Sequence, residues 1–413
     1  MVAAVVCMVA IANLQYAWTL FVPEIQKTHG WSRAGIQTAF TIFIVVQTWL
    51  TPIEGVFLDR YGPRLMILFG GLCVGACWLI DSVAQSLTGF YIAAVIGGIG
   101  AGTVYVAAAR VAVGWFADQR GLAAGLVGAG FGAGSALTII PIANTIKASG
   151  YQSAFFWYGL IIGGAVLLAG LVMRAPKEGE APRAVLPTQS RIDYTVGQAL
   201  RMPAFWTMLI ILTLVVTGGL MAVAQLSLIA QDLGVAKTPI NFYFFTMAAL
   251  PMALLLDRIV NGLSRWLLGW VSDFIGRENT MFIAFALEGL GILMLGLFGH
   301  DPWVFVLMTG IVFFAWGEIY SLFSAMAADT FGLKHYGKIY GLLYCSKGIG
   351  ALLVPFGNIM MHNGGSWMTI LSIVAVMNFV AAFAALFLLK PMLRKHRQRI
   401  ALEPEPELTG APV

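Results

Sequence analysis

The sequence predicts an all-α integral membrane protein of twelve transmembrane helices in two related halves, on three observations. The chain of 413 residues is 59% hydrophobic and only 10% charged, with a mean hydropathy of +0.85, whereas a soluble globule carries about 25% charged residues. Its apolar runs are about 20 residues long, enough for helices rising about 1.5 Å per residue to cross a hydrocarbon core about 30 Å thick. The segment Gly55-Val-Phe-Leu-Asp59-Arg60-Tyr-Gly62 also returns 214 positions later as Gly269-Trp-Val-Ser-Asp273-Phe-Ile-Gly276-Arg277, each copy closing an apolar run. Duplicated membrane units build many secondary transporters, so the repeat points to transport.

The expected spans are 1–22, 35–58, 65–84, 89–114, 122–146, 154–173, 203–230, 240–271, 280–299, 303–326, 338–361 and 367–390. Only 174–202 is a long connection. It holds Pro176, Pro182 and Pro187 with Arg174, Lys177, Glu178, Glu180, Arg183, Arg191 and Asp193, and reads as a polar linker. The expected organisation is therefore a six-helix bundle over 1–173, a linker over 174–202, a second six-helix bundle over 203–390, and a short basic, Pro-rich tail over 391–413. A cytoplasmic linker places Arg60, Arg64, Arg120, Arg277, Lys334, Lys338 and the basic tail on one side, against Lys27, Arg33, Lys147 and Lys237 on the other. The positive-inside rule then puts both termini in the cytoplasm, in a plasma or inner membrane. Loop topology accounts for the net charge of +5 without a nucleic-acid partner.

Cys7, Cys73, Cys77 and Cys345 fall inside expected spans and read as small packing residues. His29, His300, His335, His362 and His396 fall in loops or the tail, which leaves no basis for a metal site or histidine relay in the bundle. Neither a cofactor nor a metal is expected, and an enzyme is disfavoured. The first span opens at Met1 with no basic residue ahead of it and no evident cleavage site, so it reads as a retained span; a start upstream of Met1 is compatible with that.

In the repeated loops a glycine permits a tight reversal, and the charges Asp59, Arg60, Asp273 and Arg277 can pair across helix ends at the membrane surface. Recurrence in both halves favours gating over a merely topological role. The pattern resembles the cytoplasmic loop motif of the major facilitator superfamily, which implies two six-helix bundles with pseudo-two-fold symmetry around a central cavity. Tyr105 with Tyr320 and Phe116 with Phe331 extend the repeat at nearly the same offset. Gly98, Gly102, Gly121, Gly125, Gly128, Gly130, Gly132 and Gly134 suit close helix packing, with or without sliding between halves.

Arg110, Asp257, Arg258, Arg265, Glu318 and Lys347 lie well inside expected spans, where a charge costs about 2.5–3.5 kcal/mol on insertion scales and calls for a partner or a wet cavity. Arg265 stands eight residues before Asp273 and Lys347 nine after Lys338, so both lie roughly 12–14 Å from the loops at about 1.5 Å per residue. Four cations against two acids, Asp257 and Glu318, leave a positive surplus suited to an anion; internal ion pairing is the competing reading. A guanidinium binds a carboxylate bidentately and an ammonium adds a point charge, which matches a small mono- or dicarboxylate.

Gln15-Tyr-Ala-Trp18-Thr-Leu, Gln37-Thr-Ala-Phe40-Thr, Trp115-Phe-Ala-Asp-Gln-Arg-Gly121, Asn261-Gly-Leu-Ser-Arg265, Trp316-Gly-Glu-Ile-Tyr320 and Tyr340-Gly-Leu-Leu-Tyr-Cys-Ser-Lys347 resemble the oxalate:formate antiporter family. The resemblance implies that Arg265 and Lys347 bind carboxylates, with Tyr16, Trp18, Tyr105, Trp316, Tyr320 and Tyr344 as the surrounding aromatic cage. The sequence departs from the exchanger pattern at Phe131 (tyrosine there), Tyr344 (tryptophan) and Glu318 (glycine), and Pro141 arrives late for the family's fifth-span Gly-Pro motif. Glu318, or Asp257, would carry a proton with a monoanion when neutral and repel a dianion when ionised. The expected function is a secondary active carrier of small organic anions, acting as a monomer in the bilayer by exchange; the alternatives are proton-coupled monocarboxylate symport and, from another class, a membrane sensor.

Overall fold

The computed structural model describes residues 1–177, 179–181, 192–242, 245–362 and 366–402. Glu178, Pro182, Arg183, Pro187, Arg191 and the tail beyond 402 lie outside the described residues. The apolar runs form helices because, in lipid, only intra-segment hydrogen bonds satisfy the backbone. The first half runs α1 (Val2–Tyr16), α2 (Trp18–His29), α3 (Arg33–Trp49), α4 (Thr51–Tyr61), α5 (Pro63–Val83), α6 (Leu87–Trp115) and α7 (Arg120–Val172), the last carrying a break at Gly150. After the short α8 (Val196–Arg201) come α9 (Pro203–Asp232), an antiparallel hairpin of β1 (Pro239–Phe242) and β2 (Phe245–Ala248), α10 (Ala249–Ile275), α11 (Arg277–Phe298), α12 (Pro302–Gly317), α13 (Ile319–Phe331), α14 (Tyr336–Tyr344), α15 (Ser346–His362), α16 (Trp367–Phe383), a π-helical turn (Ala384–Leu389) and α17 (Lys390–Leu402).

The chain is an all-α multi-pass membrane protein apart from that hairpin. Among the described residues seven helices are long and apolar enough to cross a membrane, or up to nine if each of two pairs, bent by 42° and 48°, is one span. The hairpin corrects the expectation of a helix from 240: Ile240, Phe242, Phe245 and Thr246 are strand formers, and the Ala249 N–H closes the turn on the Thr238 carbonyl at 2.9 Å. The tail expected from 391 is helical as far as Leu402, anchored by Arg397 on Glu278 at 2.9 Å. In the linker, Arg174 pairs with Glu180 and its hydrogen bond holds that carboxyl down at about 2.

Helices α1, α3, α5, α6 and α7 pack chiefly on one another, as do α9, α11, α12, α15 and α16, while α7 against α10 and α14 against α4 join the two sets. The repeated loop makes this junction. Gly62 (φ +79°) and Gly276 (φ +90°) terminate α4 and α10 in backbone conformations that side chains disfavour. The aspartate three residues before each glycine then caps a helix of the other half. Asp59 accepts from the Gly337 and Lys338 N–H groups at 3.1 and 3.2 Å, and Asp273 from those of Gly121 and Leu122 at 3.0 and 2.9 Å.

Arg110 pairs with Asp59 at 2.7 Å and Arg277 with Asp273 at 2.6 Å, while Asp329 receives Arg120 at 3.2 Å and Arg277 at 3.1 Å. Sequence reasoning left Arg110 without a role and grouped Arg60 with the pairing charges. Arg60 instead lies exposed, its guanidinium 5.5 Å from the Tyr61 ring centre. Adjacent helix residues point about 100° apart, so Asp59 turns inward to α6 and α14 while Arg60 turns out.

Close contact across the junction rests on small residues. A Cβ at Gly121, Gly125 or Gly269 would run into backbone of the facing helix, and Gly55 stands likewise against Gly337. Gly269→Val should therefore lower the thermal unfolding midpoint of the purified protein, by an overpacking cost of about 1–3 kcal/mol. Gly164→Ala, with no neighbouring atom within 4 Å, should leave it unchanged or slightly raised. Equal midpoints for the two variants would show that α7 and α10 tolerate separation.

Candidate functional site

Between the two sets of helices lies a cavity of about 50 Å³, open to the centres of water-sized groups. From α10 it receives Arg258, Asn261 and Arg265, whose spacings of three, four and seven residues put them along one helix face, with Asp257 beside Arg258 at the edge of that face. Lys347 and Tyr344 enter from the α14–α15 junction, Trp316 and Tyr320 from the α12–α13 junction, and Tyr16, Tyr105 and Phe131 from α1, α6 and α7. The rings form a continuous wall by edge and tilted contacts, with centroids 5.6 Å apart for Tyr16–Phe131, 5.5 Å for Phe131–Tyr105, 5.1 Å for Tyr105–Tyr344, 5.4 Å for Tyr344–Tyr320 and 6.2 Å for Tyr320–Trp316.

Two cations stand inside this wall. Arg265, 2% exposed, donates from Nε to the Asn261 side-chain oxygen at 3.2 Å, while its Nη1 is buried without a partner. Lys347, 4% exposed, holds Nζ 5.8 Å from the Tyr320 ring centre and 5.6 Å from that of Tyr344. Among the described residues neither makes an ion pair, so the competing reading of internal salt bridges with Asp257 or Glu318 finds no support. Tyr340 lies just outside, donating its hydroxyl to the Tyr320 carbonyl at 3.1 Å.

Two expected site residues lie elsewhere, for the same geometric reason. Residues two apart on a helix point about 200° apart. Tyr16 faces the cavity, so Trp18 faces away and packs on Phe90, ring centres 6.3 Å apart, inside the first set of helices. Trp316 and Tyr320 face the cavity, so Glu318 between them points behind it, fully buried and without a hydrogen-bond partner. There it lies within Coulombic reach of Arg265 on α10 and Glu288 on α11.

The charge count also needs correction. Arg110 belongs to Asp59 at the junction, and Glu54, Asp81 and Glu288 are further buried acids inside helices. Each was visible as an acid within an apolar run. What remains at the cavity itself is Arg258, Arg265 and Lys347 against Asp257, whose two carboxylate oxygens have no hydrogen-bond partner. Arg258, given no role by the sequence, sets its guanidinium 4.5 Å from the Tyr16 ring centre and so bridges α10 to α1, two turns from Arg265. Gln15, Leu220 and Phe313 also line the cavity; Phe313 is found from its spacing one helical turn before Trp316.

A family model described as Major Facilitator Superfamily matches residues 3–268 and 259–410. The oxalate:formate antiporter of Oxalobacter formigenes is 33% identical over 410 residues, covering 98% of this chain and 94% of that protein. An uncharacterized MFS-type transporter of Escherichia coli, YhjX, is 22% identical over 341 residues, covering 82% and 81%. Among solved structures, the proton:xylose symporter XylE superposes with a TM-score of 0.72 at 13% identity, covering 94% of each chain. FucP in its outward conformation gives 0.67 at 15%, covering 93% of this chain and 98% of that one, so the fold is shared with both. With a family model matched along nearly its whole length and a relative one-third identical across it, the chain belongs to the Major Facilitator Superfamily and is a secondary active transporter of small organic solutes that works by alternating access.

Proposed function

We propose that the chain carries small carboxylate anions, bound between Arg265 and Lys347 inside the cage of Tyr16, Tyr105, Trp316, Tyr320 and Tyr344. The observation that carries this reading is the pair of buried cations without a counter-ion. A carboxylate would take charge-assisted hydrogen bonds from both, each worth about 1.5–3 kcal/mol, where solvent is displaced by aromatic surface. At about 10–15 Å³ for each water-sized group, the 50 Å³ cavity holds three to five such groups. That suits anions of the size of formate or acetate better than bulkier acids.

In this reading the chain has twelve spans in two six-helix bundles, 1–173 and 203–390, with both termini cytoplasmic in a cell membrane, and acts as a monomer. The helix caps of Asp59 and Asp273 hold the cytoplasmic side shut and Arg258 on Tyr16 straps the opposite mouth; with both formed the cavity is closed on either side, and alternating access opens one while the other stays formed. The expected exchange mechanism gives way to proton-coupled symport as the better supported mode, because Glu318 and Glu288 are buried with no hydrogen-bond partner for their carboxylates. A proton on Glu318 removes a competitor for Arg265 and leaves the guanidinium to the substrate. Exchange is the second reading, favoured by the 33% identity to a protein named an oxalate:formate antiporter.

Counterflow in proteoliposomes with labelled oxalate, formate, lactate and acetate, with and without a proton gradient, tests the function. Failure of all four to exchange or accumulate would refute it. Arg265→Lys, which keeps charge but loses the bidentate fork, and Lys347→Gln should each weaken anion affinity at least tenfold in folded protein; normal affinity in both would move the binding site elsewhere. External acidification should accelerate net uptake, since protonation of Glu318 loads the proton with the monoanion, and Glu318→Gln should abolish that acceleration while sparing exchange. A wild type indifferent to pH would return the reading to exchange. With a cysteine introduced into the cavity as Leu220→Cys, Tyr16→Leu should expose it to an external reagent and Tyr16→Phe, which keeps the ring, should not; the same labelling rate in both would mean that Arg258 closes nothing.

A further inference from the structure

A second cavity, of about 30 Å³, lies within the first set of helices, on the opposite side of α1–α2 from the anion site. Its lining includes Trp18, Phe43, Trp78, Phe90 and Phe155, and the one acidic side chain among its lining residues is Asp81 of α5. Asp81 is 5% exposed; its Oδ1 has no hydrogen-bond partner and its Oδ2 meets only the Cys77 thiol, a weak donor, at 3.8 Å. The Trp18 indole N–H is likewise buried without a partner. Asn13, also in the lining, spends both its amide hydrogens on the Val9 and Ala10 carbonyls at 3.0 and 3.3 Å and accepts from Thr138, so it neutralises nothing.

A carboxylate enclosed by aromatic faces with no counter-charge is the chemistry that selects a small ammonium ion, by ion pairing on one side and cation–π contact on the others. The size agrees. At about 10–15 Å³ per water-sized group, 30 Å³ holds two or three: the carbon and nitrogen of methylammonium, with one water to accept from the Trp18 N–H. We propose that this cavity is a second binding site, separate from the anion path, that takes a small primary ammonium ion with Asp81 as its counter-ion and the surrounding rings as its walls. The site touches the α1–α2 bend through Trp18, two residues from Tyr16 of the anion cavity, so an occupant would steady that bend from behind.

The test is thermal unfolding of the purified full-length protein in detergent, titrated with methylammonium chloride at constant ionic strength. The expected result is a saturable rise in the midpoint with methylammonium. Sodium should give none, and neither should tetramethylammonium, whose five heavy atoms exceed the space by the same estimate of about 10–15 Å³ each. Asp81→Asn should remove the rise, whereas Trp18→Phe, which keeps a ring, should preserve it. Should Asp81→Asn fail to fold, the size series on the wild type decides by itself. No saturable rise, as when Asp81 simply holds a proton, would overturn the proposal, and so would a rise equalled by tetramethylammonium or sodium, or one that survives Asp81→Asn.

Discussion

A carboxylate set at the N-terminus of a helix from the other half of the chain is the interaction on which the rest of the structure depends. It occurs twice, as Asp59 on α14 and Asp273 on α7, and each aspartate meets two backbone N–H groups that a helix start leaves unsatisfied. Each cap contributes on the order of 0.3–1 kcal/mol at an exposed helix end and up to about 2 when partly buried. The added partners, Arg110 for Asp59 and Arg277 for Asp273, make each cap costly to break piecemeal, because a lone buried charge would remain. Caps of this kind are also separable as units, since water can satisfy both the carboxylate and the helix end once the halves part.

The caps fix the depth at which the two halves meet, and this shapes the central cavity. With Asp273 seated on α7, Gly125 lies against the backbone of Arg265, and Gly128 and Gly132 of the same helix leave the space that the Arg265 side chain takes on its way into the cavity. With Asp59 seated on α14, the same helix carries Tyr340 and Tyr344 inward and delivers Lys347 just beyond its end. Both cations come from the second half of the chain, Arg265 on the helix that bears one capping aspartate and Lys347 just beyond the helix that the other caps. Their burial without counter-ions is tolerable because tyrosine faces, rather than aliphatic chains, receive them: Tyr320 lies 5.9 Å from the Arg265 guanidinium and 5.8 Å from the Lys347 ammonium.

Acids that sit inside helices divide into those with a partner and those without. Asp59, Asp273 and Asp329 are locked into the junction by arginines, whereas Glu54, Asp81, Asp257, Glu288 and Glu318 each have carboxylate oxygens that meet no hydrogen-bond donor. An ionised carboxylate is expensive in such surroundings and normally either takes a proton or attracts a cation. The unpartnered group comprises the buried acids whose oxygens are still open to a proton or a cation. The distinction also separates residues that hold the fold from residues left open to protons and ligands.

The sequence by itself determined the membrane class, the duplication and the identity of the central cations, because these follow from local quantities: hydrophobic run length, the recurrence of glycine and aspartate at a helix end, and the counted depth of Arg265 and Lys347. It also placed Tyr16, Tyr105, Trp316, Tyr320 and Tyr344 among the cage candidates. Direction was beyond it. Whether Trp18 follows Tyr16 into the cavity, or Glu318 follows Trp316, depends on about 100° of rotation per residue and on which face of α1 or α12 the neighbouring helices cover. Partner choice was beyond it too: Asp59 finds Arg110 rather than the adjacent Arg60, and Arg258 finds Tyr16, because those pairs join segments 51 and 242 residues apart in sequence. Tertiary packing alone decides which helices face each other, and therefore which charges are spent on structure and which stay available for a ligand.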